Sequence, residues 1–83
     1  MTPRITIYGR PGCHLCDEAE ARVHELSAGR AEVEIIDIEQ DDELHRRLLE
    51  LIPVIELDGV RVAQLAEFRR SRMAEAIGSA LSQ

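Results

Sequence analysis

The sequence predicts a small α/β domain with the element order β-α-β-α-β-β-α and a four-stranded mixed sheet flanked by helices. First, a strand pattern, a helix pattern and a second strand pattern follow one another, which is typical of a β-α-β unit with parallel strands. Second, Asp58-Gly59 separates two short apolar runs and indicates an antiparallel hairpin. Third, 83 residues leave room for one core only. We therefore expect residues 1–83 to form a single domain.

The first half of the chain contains the β-α-β pattern. Arg4 to Tyr8, "RITIY", alternates and is rich in β-branched residues, so it predicts a strand that ends at the turn residues 9–12. A helix is expected from Cys13 to the Ser-Ala-Gly stop at 27–29, and a second strand from Glu32 to Ile38. The apolar stripe of the helix consists of Cys16, Ala19, Val23 and Leu26.

The second half predicts a short helix, a hairpin and a closing helix. Asp41 or Asp42 can cap the short helix, which should end before Pro53. The segment "PVIELDGVRVA" then predicts two short antiparallel strands. A closing helix is expected from Ala66 to Leu81 because its apolar residues recur at near-helical spacing.

Composition excludes several function classes. A net charge of −6 disfavours a nucleic-acid partner, since phosphate binding needs a basic surface. No apolar run reaches the roughly 20 residues that span a membrane, and residues 1–7 lack the apolar core of a signal peptide. We expect a cytoplasmic monomer that binds neither nucleic acid nor membranes. In a reducing compartment, two neighbouring cysteines are more typical of catalysis or metal binding than of a structural disulfide.

The chemistry of the chain is concentrated in "YGRPGCHLC", which contains both of its cysteines. Cys13 falls at the predicted start of a helix, where backbone N–H groups and the helix dipole stabilise a thiolate. Cys16 lies one turn further on, close enough to attack a mixed disulfide on Cys13. Arg10 and a protonated His14 would stabilise the Cys13 thiolate further. The pattern therefore predicts a nucleophilic Cys13 and a resolving Cys16.

Two other interpretations of the pair stay open. The cysteines can be a buried reduced pair, or they can bind zinc or an iron-sulfur cluster in a non-catalytic binding module. A structural zinc site needs four ligands, and the chain has no second Cys-x-x-Cys. His24 follows Cys16 by eight residues, about 12 Å along a helix, so it cannot complete one site with the pair.

The stretch "ITIYGRPGCHLC" resembles the strand, tyrosine, basic residue and Cys-x-x-Cys signature of glutaredoxins, in the thioredoxin superfamily, and is most similar to short bacterial glutaredoxin-like proteins. The resemblance implies a thioredoxin-like fold and a thiol-disulfide oxidoreductase that serves electron transport and cell redox homeostasis. It assigns Cys13 as the nucleophile and Cys16 as the resolving thiol of a redox-active disulfide.

The resemblance also implies a substrate groove. The segment "IPVIELDG" matches the family's cis-proline strand, which would place a cis Ile52-Pro53 bond beside the cysteines. Tyr8 corresponds to the aromatic residue that flanks the groove, and Arg10 to the basic residue before the motif. The implied substrate-binding residues are Tyr8, Arg10, His14, Leu15, Ile52, Pro53 and Glu67.

The family also suggests the co-substrate. Glutathione-using members carry a Gly-Gly pair and an acidic residue after the last strand. This chain departs from that pattern, with Ala63-Gln64 in place of the glycine pair and Glu67 near the acidic position. We expect no metal and no required cofactor, with glutathione or another low-molecular-weight thiol as co-substrate. The expected partners are a thiol or disulfide substrate, either protein or small molecule, and a reductase that the sequence does not identify.

Overall fold

The computed structural model describes residues 2–82 and contains a four-stranded mixed sheet flanked by helices. The strands are β1 (Arg4–Gly9), β2 (Glu32–Asp37), β3 (Val54–Leu57) and β4 (Val60–Ala63), and the helices are α1 (His14–Ser27), α2 (Asp42–Leu48), α3 (Leu65–Arg69) and α4 (Met73–Leu81). The strand order is β2-β1-β3-β4, with β1 and β2 parallel and the other two pairings antiparallel. The predicted β-α-β unit and hairpin are confirmed.

Strand β1 lies in the interior of the sheet and sets the position of the cysteine turn. Its residues alternate in burial, so that Ile5, Ile7 and Gly9 are buried and the residues between them are partly exposed. Ile7 pairs with Ile35 of β2 on one side and with Ile55 of β3 on the other. The chain leaves this strand at Gly9, directly before the turn that carries both cysteines.

Two apolar clusters hold the elements together. The main cluster packs α1 and α4 on the sheet and consists of Ile5, Ile7, Ala19, Val23, Ile55, Ala63, Met73 and Ile77. The second cluster, which we call the cysteine cluster, consists of Cys16, Ile38, Leu48, Ile52 and Val54, with Tyr8, Cys13, Leu44 and Leu51 packed against it. Since the cysteine cluster includes Leu48 of α2, this helix helps to enclose the end of the sheet that carries the cysteines.

The single closing helix expected from Ala66 to Leu81 is wrong. The chain forms two helices there, α3 and α4, because Ser71 adopts a left-handed backbone conformation with φ 54° between them. Met73 and Ile77 of α4 are buried in the main cluster. The break was missed because left-handed backbone is usual for glycine or asparagine, and serine gives no such signal.

The end of the second strand differs by one residue from expectation, and the start of the short helix agrees with it. The second strand ends at Asp37, since the Asp37 side chain accepts a hydrogen bond from the N–H of Glu39 and begins a short 3-10 helix, Ile38–Gln40. Asp41, one of the two expected caps, accepts hydrogen bonds from the N–H groups of Glu43 and Leu44 at 2.9 and 3.1 Å. Side-chain caps therefore decide where these elements begin and end.

The lengths and the polarity of the helices bear on the expectation that the chain does not span a membrane. Across residues 2–82, every helix is too short or too polar to cross a bilayer.

Candidate active site

The turn between β1 and α1 presents Cys13 at the start of the helix. Gly12 has φ 78°, a conformation that costs glycine little, and the N–H of Cys13 donates to the carbonyl of Arg10 at 3.3 Å. Cys13 itself is the N-cap of α1, one position before the first helical residue. The turn therefore brings the Cys13 sulfur to the unpaired N–H groups of the first helical turn.

The two cysteines form a disulfide, with Cα atoms 5.2 Å apart. The N–H of Cys16 donates to Sγ of Cys13 at 3.1 Å, so the Cys13 sulfur takes the position that a capping oxygen usually occupies. Cys13 is partly exposed, whereas Cys16 is only 6% exposed. One sulfur can therefore meet a substrate directly, and the other lies behind it.

Gly9 is a site residue that sequence reasoning treated only as a turn residue. It is the last residue of β1, and a Cβ atom placed on it would lie 3.0 Å from Cβ and 3.1 Å from Sγ of Cys16. Ordinary carbon contacts are about 3.5–4.0 Å, so any side chain here would collide with the buried cysteine. A glycine that ends a strand shortly before Cys-x-x-Cys is the signal that could have identified it.

The structure brings the predicted proline segment to the cysteines. The Ile52-Pro53 peptide bond is cis, as the resemblance implies, and both side chains are buried. Ile52 belongs to the same cluster as Cys16, and its N–H donates to the carbonyl of Leu48 at 3.0 Å. The loop before β3 is therefore fixed on α2 and packs beside the disulfide.

Tyr8 packs against the cysteine cluster, and its hydroxyl is held by a residue that the sequence did not single out. The hydroxyl donates to Oε1 of Glu56 at 3.2 Å, from β1 to the neighbouring strand β3. Partial burial raises the pKa of Tyr8, and the charge of Glu56 and its hydrogen bond raise it further. The ring is therefore anchored as a neutral phenol.

The Tyr8 pKa can be measured directly, because the chain has one tyrosine and no tryptophan. We expect an ultraviolet absorbance titration to give a midpoint above 10.0, the ordinary value. Because the folded pKa is raised, the stability that Tyr8 contributes is complete below about pH 10 and is lost as the pH rises through the folded pKa. Urea unfolding of wild type and Tyr8→Phe across this range checks the loss.

Glu56→Gln is the matched variant for this titration. It should lower the Tyr8 midpoint without bringing it fully to 10.0, because burial is the largest cause of the shift and is retained. A wild-type midpoint at or below 10.0, or a midpoint unaffected by Glu56→Gln, would contradict the arrangement.

The remaining residues of the motif surround the disulfide at the surface. Arg10 is exposed and lines a cavity of about 200 Å³ together with Cys16. The His14 side chain is 88% exposed, and its Nε2 lies 3.5 Å from Oε1 of Glu18. Leu15, which lies between the two cysteines in sequence, is 37% exposed and offers an apolar contact.

Glu67 is placed differently from the other expected groove residues. Its Oε1 accepts a hydrogen bond from the N–H of Gln64 at 2.7 Å and so caps the first turn of α3. Glu67 lines a cavity that also contains Arg61, Ala63 and Gln64, and no member of the cysteine cluster lines it. The carboxylate is thus engaged in capping, in contact with the Ala63-Gln64 segment.

The metal interpretation needs more ligands than one chain supplies here. Between residues 2 and 82, no group of three or more His, Cys, Asp or Glu side chains lies close enough to hold a metal ion. A metal bound to the cysteine pair would therefore have to take further ligands from outside this set, such as a second chain or a small thiol.

Comparison with known proteins assigns the family. The family model described as "Glutaredoxin-like domain (DUF836)" matches residues 4–81, and the chain belongs to this family. A search of curated proteins finds no significant match.

Solved structures show the same fold. The solution structure of protein Ne2328 from Nitrosomonas europaea has a TM-score of 0.74 and 26% identity, and the match covers 96% of this chain and 92% of that one. A buckwheat glutaredoxin-glutathione complex has a TM-score of 0.59 and 13% identity, covering 94% and 78% of the two chains. The oxidised thioredoxin of Plasmodium falciparum has a TM-score of 0.54 and 14% identity, covering 89% and 81%.

The family and the fold agree with the resemblance drawn from the sequence. The chain is a glutaredoxin-like member of the thioredoxin superfamily with an α/β fold and a mixed four-stranded sheet. Together with the Cys13-Cys16 disulfide, this supports a redox role in thiol-disulfide chemistry.

Proposed function

We propose that the protein is a thiol-disulfide oxidoreductase that uses both cysteines, with Cys13 as the nucleophile and Cys16 as the resolving thiol. The observation that carries the proposal is the asymmetry of the disulfide. Cys13 is partly exposed at the N-terminus of α1 and accepts a hydrogen bond from the N–H of Cys16, while Cys16 is 6% exposed. The exposed sulfur is the one whose thiolate the helix stabilises.

The first step is attack of the Cys13 thiolate on a substrate disulfide. A bond forms between Sγ of Cys13 and one substrate sulfur, the substrate S–S bond breaks, and the other sulfur leaves as a thiolate that takes a proton from solvent. The N–H of Cys16 and the first turn of α1 favour the attacking thiolate. This step leaves a mixed disulfide on Cys13.

The second step releases the substrate. Cys16 loses its proton and attacks Sγ of Cys13, the bond to the substrate breaks, and the second substrate sulfur leaves as a thiol. The substrate has then gained two electrons, and the protein holds the Cys13-Cys16 disulfide that the structure contains. A reductase or a low-molecular-weight thiol must return two electrons before another turnover.

The substrate surface in this proposal consists of Tyr8 and the backbone of the Ile52-Pro53 segment, since Tyr8 and Ile52 pack at the cysteine cluster and the side chains of Ile52 and Pro53 are buried. Glutathione is the co-substrate we propose first, because a structural neighbour is a glutaredoxin in complex with glutathione. We assign Glu67 no direct contact with glutathione in this proposal. Its carboxylate accepts a hydrogen bond from the N–H of Gln64 and so helps to hold the Ala63-Gln64 segment.

Trapping of the mixed disulfide tests the nucleophile. With glutathione disulfide at about pH 6, Cys16→Ser should form a stable adduct on Cys13, read by intact mass and peptide mapping. Cys13→Ser should form its adduct more slowly, roughly threefold for each unit by which the Cys13 pKa lies below ~8.5. The factor is only about three because tenfold more thiolate is partly offset by weaker nucleophilicity.

The wild-type protein and a metal analysis complete the test. Wild type should end as the intramolecular disulfide without an adduct, because Cys16 resolves it. Equal adduct rates in the two single variants, or full disulfide reduction by Cys13→Ser, would remove Cys13 as the nucleophile. Stoichiometric zinc or iron in the reduced protein, lost in Cys13→Ser, would favour the binding module instead.

A further inference from the structure

Cys16 lines a cavity that has no role in the two reaction steps proposed above. A cavity of about 200 Å³ lies between α1 and the carboxyl ends of β1 and β2. Cys16 lines it, whereas Cys13, Tyr8 and the Ile52-Pro53 segment do not. The lining residues with charged side chains are Arg10, Asp17, Glu20 and Asp37. The buried sulfur therefore faces an open space, lined by both apolar and charged side chains, on the side away from the predicted substrate surface.

Gly9 makes this approach to the sulfur possible. Its missing side chain leaves room that a Cβ atom would fill, 3.1 Å from Sγ of Cys16. Gly9 pairs directly with Asp37 across the parallel strands β1 and β2. Neighbouring strands lie about 4.7–4.9 Å apart, so Asp37 stands one strand spacing from the residue against which Cys16 packs.

Asp37 is also held in place. Its Oδ1 accepts a hydrogen bond from the N–H of Glu39 at 2.9 Å, and the residue is partly buried. In the part of the chain from 2 to 82, Oδ2 makes no hydrogen bond to protein. One carboxylate oxygen thus fixes the side chain, and the other is available to a proton or a water molecule.

The resolving step needs a group that can accept the proton of the Cys16 thiol. Burial favours a neutral thiol over a thiolate, so a reduced Cys16 keeps its proton until a base accepts it. The arginine and three carboxylates in the cavity lining offer the two to four polar partners that a water molecule needs. The carboxylates lie on the same side of the sulfur as this water, while the substrate would cover the Cys13 side.

We propose that Asp37 is the general base for Cys16, and this inference rests on the proposed function. The Cys16 S–H proton passes to Asp37, directly or through one water molecule in the cavity. The Cys16 thiolate then attacks Sγ of Cys13, the bond to the substrate breaks, and the substrate sulfur leaves and takes a proton from solvent. Asp37 returns its proton to solvent through the cavity.

The other charged groups of the cavity are less suited to this task. The guanidinium of Arg10 has only N–H donors and cannot accept a proton, so it would act only by favouring a thiolate. Asp17 is exposed, and Oε1 of Glu20 lies 4.0 Å from Nε2 of His24 further along α1. Asp37 alone combines a fixed side chain with the strand position opposite Gly9.

Asp37→Asn separates catalysis from structure, because asparagine keeps an Oδ1 that can accept from the Glu39 N–H. In rapid mixing of reduced protein with glutathione disulfide, the first glutathione released reports attack by Cys13 and the second reports resolution by Cys16. We expect an unchanged first phase and a second phase slowed roughly 100-fold near pH 7. The difference should shrink at high pH, where solvent can deprotonate the thiol.

Glu34→Gln is the matched control on β2, since Glu34 is exposed beside Arg4 and does not line the cavity. It should leave both phases unchanged. A normal second phase in Asp37→Asn together with a slow one in Asp37→Ala would show a capping role and overturn the proposal. Equal slowing of both phases, or a second phase that depends on Glu20→Gln instead, would also overturn it. If wild type shows no first phase, the proposed function itself fails.

Discussion

Replacing Gly9 with valine is expected to lower the free energy of unfolding by about 3 kcal/mol or more and to slow formation of the Cys13-Cys16 disulfide. A Cβ atom alone would lie 3.0 Å from Cβ of Cys16, and that atom is attached to the α1 backbone and cannot rotate away. Overpacking of this kind costs roughly 1–3 kcal/mol, and valine adds two further methyl groups. Urea unfolding and the rate of oxidation of the reduced protein measure the two effects.

Thr6→Val is the matched control for this variant, because it introduces the same side chain on the same strand. Thr6 is partly exposed and faces away from the side where Gly9 meets Cys16. Valine favours strands, so this variant should change stability by no more than about 0.5 kcal/mol. If Gly9→Val kept wild-type stability and wild-type oxidation, α1 would not depend on close approach to β1.

Replacing Ile55 with alanine is expected to lower the free energy of unfolding by roughly 2–5 kcal/mol, because it leaves a cavity in the main cluster. Ile55 is fully buried on β3, between β1 and β4, and pairs with Ile7. A chain of 83 residues has a total stability of only about 4–12 kcal/mol, so a large share would be lost. The midpoint of urea unfolding should fall accordingly.

Val60→Ala provides the comparison for Ile55→Ala. Val60 lies on the edge strand β4 and is 66% exposed, so its truncation should cost no more than about 0.5 kcal/mol. A cost below about 1 kcal/mol for Ile55→Ala would mean that the main cluster collapses around the smaller side chain.

Local sequence signals were enough to predict most of the fold. Alternation in "RITIY", the Asp58-Gly59 turn and the apolar stripe of α1 each depend on near neighbours, and the structure contains the strand, hairpin and helix they indicate. The prediction of one closing helix was wrong because the turn that ends α3 uses a residue that does not usually mark such a turn. Ser71 has left-handed backbone, and the N–H of Arg72 donates to the carbonyl of Glu67 at 2.7 Å, a helix ending at which glycine is usual.

The residues of the candidate site differ in how far the sequence indicates them. The sequence singles out Cys13, Cys16 and Pro53 because their chemistry is specific and their spacing is local or matches a family pattern. The contacts of Gly9, Asp37 and Glu56 arise from strand pairing and helix packing, so they were not recognised as site residues. Glu67 shows the limit of a family pattern, since its carboxylate caps α3 through the N–H of Gln64.

The interior position of β1 has a consequence for the motions of the redox site. β1 is hydrogen-bonded on both sides, to β2 and β3, so its amides should be among the slowest in the protein to exchange with deuterium. The turn from Arg10 to Cys13 has exposed residues and a single backbone hydrogen bond across it. Switching between disulfide and dithiol is therefore expected to move this short turn while the strand beneath it stays rigid.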